Sequence, residues 1–358
     1  MRILVTGSAG FIGFHLAKKL LELGHEVIGL DNINDYYDVN LKYARLQELG
    51  IDKKEISNNV LVTSSSFTLH QFIKLDIADT EAMDNFFKEE YFDAVCHLAA
   101  QAGVRYSLEN PHAYTQSNIV GFLNILEGCR HQKIMNLSFA SSSSVYGLNE
   151  SQPFKTSDTT EHPVSLYAAT KKSNEMMAHS YSHLYGISAT GLRFFTVYGP
   201  YGRPDMAPII FADAISNNRE LKVFNHGNMS RDFTYVDDVV QGCIKVINNP
   251  AKKNPDWNAK NPEIQSSIAP YKLYNIGHNS PVNLMEFITL LEKKLGRTAT
   301  KIMSDLQDGD VVSTYADVGG LMHDLGYTPK TSLEEGIDKF VTWYQNFYTK
   351  ERKVTDEN

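Results

Sequence analysis

Short apolar runs alternate with helical patterns through the first half of the chain. Residues 3–5 have the length and composition of a buried strand, and small and apolar residues over 13–20 then repeat at the spacing of one helix face. Gly24 ends this pattern, and the apolar run 27–30 follows as a second strand that stops at Asp31. Because elements that alternate in this way form βαβ units, the pattern predicts an α/β fold with a doubly wound parallel sheet.

The same alternation continues to about residue 200. Further strands are predicted at 71–75, 94–98, 136–140 and 189–194, and helices at 118–131 and 166–185. Beyond Pro200 the chain is richer in Pro, Asn and Gly, and the alternation is less regular. We therefore predict a first domain over 1–197 and a smaller α/β domain over 198–358 that covers its mouth. Residues 233–248 are expected to return to the first domain.

Three glycines follow the first predicted strand. Gly7, Gly10 and Gly13 form a GxxGxxG pattern, in which the lack of side chains lets the backbone approach a pyrophosphate. Asp31 lies 21 residues after Gly10, where a carboxylate can accept hydrogen bonds from both ribose hydroxyls of an adenosine. Such a carboxylate repels a 2′-phosphate, so the pattern favours NAD over NADP. A glycine triplet alone also occurs in turns with a purely structural role.

Composition narrows the classes of partner. The 358 residues carry 34 basic and 42 acidic side chains, a net charge of −8, with no long Lys/Arg run. This balance argues against nucleic acid or an anionic membrane as the main partner. No apolar run approaches the roughly 18 residues that a membrane span needs. The three cysteines lie far apart without zinc-type spacing, so we expect reduced thiols, no metal site and a cytoplasmic location.

A serine, a tyrosine and a lysine are candidates for catalysis. Tyr167 and Lys171 stand four residues apart on one face of the predicted helix, and Ser142 lies in a serine run after the strand 136–140. An ammonium group close to a phenol lowers the pKa of the phenol because it stabilises the phenolate. We therefore expect Tyr167 to take a proton from a substrate hydroxyl while Ser142 holds the same oxygen. The alternative is a surface tyrosine above a serine-rich turn.

The order of strand, serine and Tyr-x-x-x-Lys behind a glycine turn resembles the extended short-chain dehydrogenase/reductase superfamily. A closer resemblance, to the UDP-glucuronate 4-epimerase family, covers nearly the whole chain. It is carried by DNINDYYD at 31–38, AAQAGVRYS at 99–107, SSSSVYG at 141–147, YGPYGRPDMA at 198–207 and NIGHNSPV at 275–282. The resemblance implies a Rossmann-type fold, tightly held NAD and interconversion of UDP-glucuronate and UDP-galacturonate through a 4-keto sugar. It also implies a homodimer packed through helices of the first domain, including the helix that bears Tyr167.

Two sets of binding residues are expected on this basis. The NAD site is expected to contain Gly7, Gly10, Phe11, Ile12, Gly13, Asp31, Asn32, Asp76, Ile77, Leu98, Ala99, Ala100, Asn118, Tyr167, Lys171 and Val197. The UDP-sugar site is expected to contain Ser142, Ser143, Ser144, Thr196, Arg203, Met206, Pro208, Val223, Phe224 and Arg231. In the second set, Ser144, Thr196 and Arg203 are candidates for holding the sugar carboxylate, and Arg231 for the diphosphate.

Several of these arginines have an alternative role. Arg203 lies between a glycine and a proline, so it is also consistent with an exposed turn, and Arg231 is also consistent with a salt bridge to Asp232. Arg105 fits either a substrate contact or a structural ion pair.

The serine run also bears on the type of reaction. Related dehydratases carry an acidic pair after the catalytic residue, and related decarboxylases carry a glutamate before Val-Tyr-Gly. Serine stands at both places here, which favours oxidation and re-reduction alone. Three alternatives stay open: C4 epimerisation of a UDP-N-acetylhexosaminuronate or a UDP-hexose, decarboxylation of UDP-glucuronate, and an NAD-binding sensor without catalysis.

Overall fold

The structure is a computed structural model that describes residues 1–306 and 311–356. Its strands are β1 Arg2–Thr6, β2 Glu26–Asp31, β3 Leu61–Thr63, β4 His70–Lys74, β5 Ala94–His97, β6 Asn136–Ser142, β7 Ser188–Phe194, β8 Thr196–Tyr198, β9 Glu220–Val223, β10 Ser230–Arg231, β11 Phe233–Tyr235, β12 Tyr271–Ile276, β13 Val282–Asn283 and β14 Thr300–Met303. Its helices are α1 Phe11–Glu22, α2 Val39–Glu48, α3 Thr80–Glu89, α4 Tyr106–Glu109, α5 Pro111–Tyr114, α6 Gly121–Gln132, α7 Leu166–Tyr185, α8 Ala207–Ser216, α9 Val236–Asn248, α10 Leu284–Leu295, α11 Gly319–Leu325 and α12 Leu333–Asp356.

One large sheet organises the first part of the chain. Within the described ranges its strand order is β12-β7-β6-β5-β1-β2-β4-β3, and every neighbouring pair is parallel except the edge pair β3·β4. The strand order reverses at β1, with β2 on one side and β5 on the other. In such a doubly wound sheet, a ligand binds in the crevice outside the carboxyl ends of the strands at this reversal. The predicted α/β Rossmann-type fold is confirmed.

Helices cover both faces of this sheet because each presents one apolar stripe to it. On one face, Leu16, Leu20 and Val239 of α1 and α9 belong to the same buried cluster. On the other face, Phe86 of α3 and Phe122 of α6 pack in a second cluster together with α7. The predicted helix 166–185 coincides with α7, which starts where the Ser165 hydroxyl accepts a hydrogen bond from the amide of residue 168 and ends at Gly186 in a left-handed conformation.

The later part of the chain builds smaller units and also contributes to the large sheet. β9 pairs in parallel with β14, β10 pairs antiparallel with β13, and α10 packs against both α8 and α12. However, α9 packs against α1, and β12 forms an edge strand of the large sheet beside β7. The boundary at residue 197 stays a prediction. In the described parts of the chain, every helix is too short or too polar to cross a bilayer.

Candidate active site

A single cavity extends along the carboxyl ends of β1, β2, β5 and β6 and reaches the start of α7. It is lined by most residues that the sequence places in a site: Gly7, Gly10, Phe11, Ile12, Gly13, Asp31, Asn32, Ile77, Leu98, Ala99, Ala100, Ser142, Ser143, Ser144, Tyr167, Lys171, Thr196, Val197, Arg203 and Met206. Six expected residues lie outside this lining: Asp76, Asn118, Pro208, Val223, Phe224 and Arg231.

The glycine turn leads from β1 directly into α1. Gly7 has a positive φ of 72°, and its amide donates to the Leu30 carbonyl at 2.7 Å, which joins the turn to β2. A Cβ on Gly13 would lie 2.1 Å from the Gly7 carbonyl oxygen, so the close contact of turn and helix requires glycine there. Gly10 is the N-cap of α1 and provides no side-chain cap, and the first turn of the helix carries no acidic residue. These uncapped amides and the helix dipole fit a pyrophosphate.

Asp31 ends β2 at the edge of the cavity. Its carboxylate accepts a hydrogen bond from the Ile33 amide at 2.8 Å and lies 3.8 Å from the ammonium of Lys42, a buried residue of α2 that also lines the cavity. Burial lowers the pKa of Lys42, and the charge of Asp31 partly opposes this shift. Lys42 was missed from the sequence, because nothing local distinguishes this lysine from the surface lysines of an amphipathic helix.

Two expected NAD residues hold lining residues in place from outside the cavity. Asp76 accepts a hydrogen bond from the Asn32 amide group at 3.0 Å. Asn118, which is buried, accepts from the Gln101 backbone amide at 2.8 Å and donates to the Gln101 carbonyl and the Thr170 hydroxyl, both at 3.0 Å. Asn118 therefore connects the loop after β5 to α7.

Ser142, Tyr167 and Lys171 meet in the cavity where β6 ends beside α7. The Lys171 ammonium donates to the Ala140 carbonyl at 3.0 Å, and burial lowers the pKa of Lys171 to about 8. The pKa of Tyr167 is raised, in contrast to the expected lowering, because burial disfavours the phenolate. The hydrogen bond with Ser142 and the charge of Arg203 act in the opposite direction.

A buried ion pair lies behind these three residues. Glu175 of α7 accepts hydrogen bonds from Arg193 of β7 at 2.9 and 3.0 Å and from the Ser141 hydroxyl at 2.7 Å. Both side chains of the pair are fully buried. Since Ser141 immediately precedes Ser142, this pair fixes the end of β6 against α7 one helical turn beyond Lys171. No local sequence pattern indicates this pair, because its members lie on different elements.

The outer residues of the expected substrate site lie in the second half of the chain. Pro208 and Val223 are buried, and the Phe224 ring lies 5.4 Å from the guanidinium of Arg105. Arg231 donates to the carbonyls of Ser230 and Val312 at 2.9 and 3.1 Å. The carboxylate of Asp232, considered from the sequence as a partner of Arg231, accepts hydrogen bonds from backbone amides of three residues: His278, Asn279 and Ala316.

Comparison of the chain with known proteins identifies its family. Residues 3–260 match the model of the NAD dependent epimerase/dehydratase family. The chain is 55% identical over 350 residues to Protein CapI of Staphylococcus aureus, covering 98% of this chain and 100% of that protein. It is 44% identical over 349 residues to the probable UDP-glucuronate 4-epimerase of Rhizobium meliloti (strain 1021), covering 97% and 98% respectively.

A solved structure agrees with these relatives. The UDP-glucuronic acid 4-epimerase of Bacillus cereus, in complex with UDP-glucuronic acid and NAD, superposes with a TM-score of 0.81 at 32% identity, covering 97% of this chain and 100% of that one. The resemblance found in the sequence and the expected dependence on NAD are thereby confirmed. The chain belongs to the NAD dependent epimerase/dehydratase family.

Proposed function

We propose that this protein interconverts UDP-glucuronate and UDP-galacturonate by NAD-dependent epimerisation at C4′. One observation carries the proposal: a single cavity joins the glycine turn and Asp31 to Ser142, Tyr167 and Arg203. The cavity therefore contains three kinds of group: residues that fit a dinucleotide, a residue that can act as acid and base, and a cation that can bind a carboxylate. The likeness to the Rhizobium and Bacillus epimerases supports the same substrate.

The residues of the first half fit NAD. The uncapped amides of α1 suit the pyrophosphate, and the Asp31 carboxylate suits the adenosine ribose, whose hydroxyls donate to it. Apolar walls of the same cavity are formed by Ile77, Leu98, Ala99 and Ala100. When bound there, NAD supplies reversible oxidation of the C4′ alcohol to a ketone.

Tyr167 is the proposed general base for the C4′ hydroxyl. Its hydroxyl shares the cavity with Ser142, which holds the same sugar oxygen by a hydrogen bond. The phenolate that forms as the proton leaves the sugar is stabilised by positive charge, which Lys171 and Arg203 supply on this chain. In the reverse half of the reaction, Tyr167 returns the proton to the oxygen of the 4-keto sugar.

The carboxylate of the sugar requires separate control. Oxidation at C4′ makes the sugar a β-keto acid, which readily loses CO₂ when the C5′–C6′ bond aligns with the carbonyl π system. Ser144, Thr196 and Arg203 are the proposed holders of this carboxylate, because all three line the cavity. The rest of the sugar must still be free to turn, so that the 4-keto ring can present its opposite face for reduction.

The second half of the chain is proposed to hold the UDP group. Met206 lines the cavity, and Pro208 lies in the first turn of the adjoining helix α8, which begins at Ala207. Val223 and Phe224 are assigned to the uracil and ribose, and Arg231 to the diphosphate. This assignment accompanies the proposed division of the chain into an NAD domain over 1–197, to which residues 233–248 return, and a second part over 198–358 that mainly binds substrate.

A homodimer in the cytoplasm completes the proposal. Leu123 of α6 and Met176 and Leu184 of α7 are 40%, 49% and 66% exposed, which leaves apolar surface on two helices that pack together. Covering such surface favours association through these helices. The three cysteines are buried free thiols, which supports a reducing compartment.

A product assay tests the proposed function. Purified protein is incubated with UDP-glucuronate, and the anomeric proton signals of the products are followed by NMR. We expect UDP-galacturonate to appear until equilibrium is reached. A UDP-pentose with released CO₂ as the main product would identify a decarboxylase instead. Conversion of UDP-glucose, with UDP-glucuronate unchanged, would identify an epimerase of neutral sugars.

A further inference from the structure

An ion pair beside the cavity, between Arg203 and Asp205, accepts a hydrogen bond from a residue that is far away in sequence. Arg203 donates from Nε to Oδ1 of Asp205 at 3.0 Å and from Nη2 to Oδ2 at 2.5 Å. The Tyr36 hydroxyl, from the loop after β2, donates to the same Oδ2 at 3.0 Å. The Arg203 guanidinium carbon also lies 5.9 Å from the centre of the Tyr36 ring. Two separate groups thus fix the Asp205 carboxylate.

The three side chains occupy different places relative to the cavity. Arg203 and Tyr36 line it, whereas Asp205 lies outside the lining. A guanidinium has five N–H donors, and the two bonds to Asp205 use one on Nε and one on Nη2. The Nη1–Nη2 edge can therefore bind a second carboxylate while Asp205 keeps the Nε edge.

Asp205 is charged in this arrangement. The side chain is 29% exposed, and its partial burial disfavours ionisation, but the charge of Arg203 and the hydrogen bonds from Arg203 and Tyr36 outweigh this effect and lower the pKa of the carboxyl group. An ionised Asp205 holds the arginine side chain in one orientation, since a bidentate pair fixes direction as well as distance.

We propose that Asp205, held by Tyr36, is a positioning residue that fixes Arg203 so that the arginine keeps the sugar carboxylate out of line with the C4′ carbonyl. This inference rests on the proposed function and deepens it. Asp205 makes no contact with the reacting atoms and acts through Arg203. It extends the role of the 31–38 stretch, because Tyr36 connects that stretch to the carboxylate end of the site.

The consequence concerns a side reaction of the 4-keto sugar. In that reaction the C5′–C6′ bond breaks, CO₂ leaves, and the bonding electron pair passes into the C4′ carbonyl to give an enolate. The enolate then takes a proton from water at C5′. An Arg203 side chain that is free to turn lets the carboxylate reach the aligned geometry, so loss of Asp205 should increase decarboxylation relative to epimerisation.

Four variants test this inference in the intact protein. Asp205→Ala removes both bonds to Arg203, and Asp205→Asn keeps the shape without the charge. Tyr36→Phe removes only the hydrogen bond from the Tyr36 hydroxyl to Oδ2 of Asp205. Asp213→Asn is the matched control, because Asp213 pairs with Arg219 on the exposed side of α8, away from the cavity lining.

Two readouts are measured for each variant. The first is the ratio of CO₂ and UDP-pentose, counted together with its unreduced 4-keto form, to UDP-galacturonate formed from UDP-glucuronate. The second is the ratio of dissociation constants for UDP-glucose and UDP-glucuronate by calorimetry. For Asp205→Ala we expect the first ratio to rise and the second to fall, each by about tenfold. Asp205→Asn and Tyr36→Phe should shift both ratios less, and Asp213→Asn should match the wild type.

Two results would overturn the inference. One is an unchanged product ratio and an unchanged affinity ratio in both Asp205 variants. The other is an equal loss of affinity for the two UDP-sugars, because that would indicate general damage to the site. The proposed function fails separately, if the wild-type protein forms no UDP-galacturonate. The affinity ratio needs no turnover, so it still measures how Asp205 acts on carboxylate binding in that case.

Discussion

Replacing Glu175 by glutamine tests whether the buried ion pair behind the catalytic residues holds the structure together. The Glu175 carboxylate has no exposed surface, and it accepts bonds from Arg193 at 2.9 and 3.0 Å and from Ser141 at 2.7 Å. Glutamine has nearly the same shape, but its NH₂ group would face an N–H donor of Arg193. The substitution therefore leaves the Arg193 charge buried without a counter-charge of equal strength.

Burial sets the expected magnitude. Removing one partner of a buried ion pair typically costs ~3–5 kcal/mol, whereas an exposed pair contributes ~0–1 kcal/mol. We therefore expect Glu175→Gln to lower the free energy of unfolding by ~3–5 kcal/mol. The double variant Glu175→Gln/Arg193→Met removes both charges, so it should be more stable than Glu175→Gln alone by at least ~1 kcal/mol.

Urea unfolding followed by circular dichroism measures these differences. Asp84→Asn serves as the control, because Asp84 pairs with Lys88 on the surface of α3 and should change the unfolding free energy by ~0.5 kcal/mol or less. A loss below ~1 kcal/mol for Glu175→Gln would show that the buried pair does not stabilise the fold in this way, and so would a double variant less stable than the single one.

Three further predictions concern the catalytic residues and the cofactor. Tyr167→Phe should lower turnover at least ~10²-fold while bound NAD, measured after denaturation, stays at the wild-type level; near-normal turnover would contradict the general-base role. Lys171→Met should raise the free energy of unfolding at pH 7 by ~1–3 kcal/mol, because the folded state disfavours the protonated amine. The pKa of Lys171 is about 8 in the folded protein against the ordinary 10.5, so this gain in unfolding free energy should shrink as the pH rises from 8 to 10.5. Urea titrations in which the gain is absent, or is constant over this pH range, would contradict the burial argument. Asp31→Asn should lower the preference for NAD over NADP about tenfold in binding titrations, since it removes the charge that repels a 2′-phosphate; an unchanged preference would show that other groups select the cofactor.

Local patterns in the sequence were enough to predict the elements that form the site. Helix α7 coincides with the predicted range 166–185, and the strands β4 to β7 lie within two residues of their predicted ends. Apolar periodicity defines such elements because each one buries a single face. The glycine turn was also predictable, since close backbone contacts admit no other residue at Gly13.

Contacts between distant elements were not predictable in the same way. Tyr36 and Asp205 meet across 169 residues, and Lys42 reaches Asp31 from the middle of a helix. Neither pair has a spacing that periodicity detects, because each depends on how whole elements pack. The edge strand β3 was missed for a similar reason: it is short, and it is held in the sheet only by pairing with β4. The raised pKa of Tyr167 follows from burial, which appears only in the folded chain.

In the proposed reaction, the hydrogen removed from C4′ is the one that returns to C4′ on the opposite face. UDP-glucuronate carrying deuterium at C4′ tests this most directly, with the protein in ordinary water and the product analysed by NMR and mass spectrometry. We expect UDP-galacturonate that retains the deuterium at C4′ and has taken up no hydrogen from the solvent on carbon. Product that has exchanged its C4′ deuterium for solvent hydrogen would contradict it, because the hydrogen would then leave as a proton.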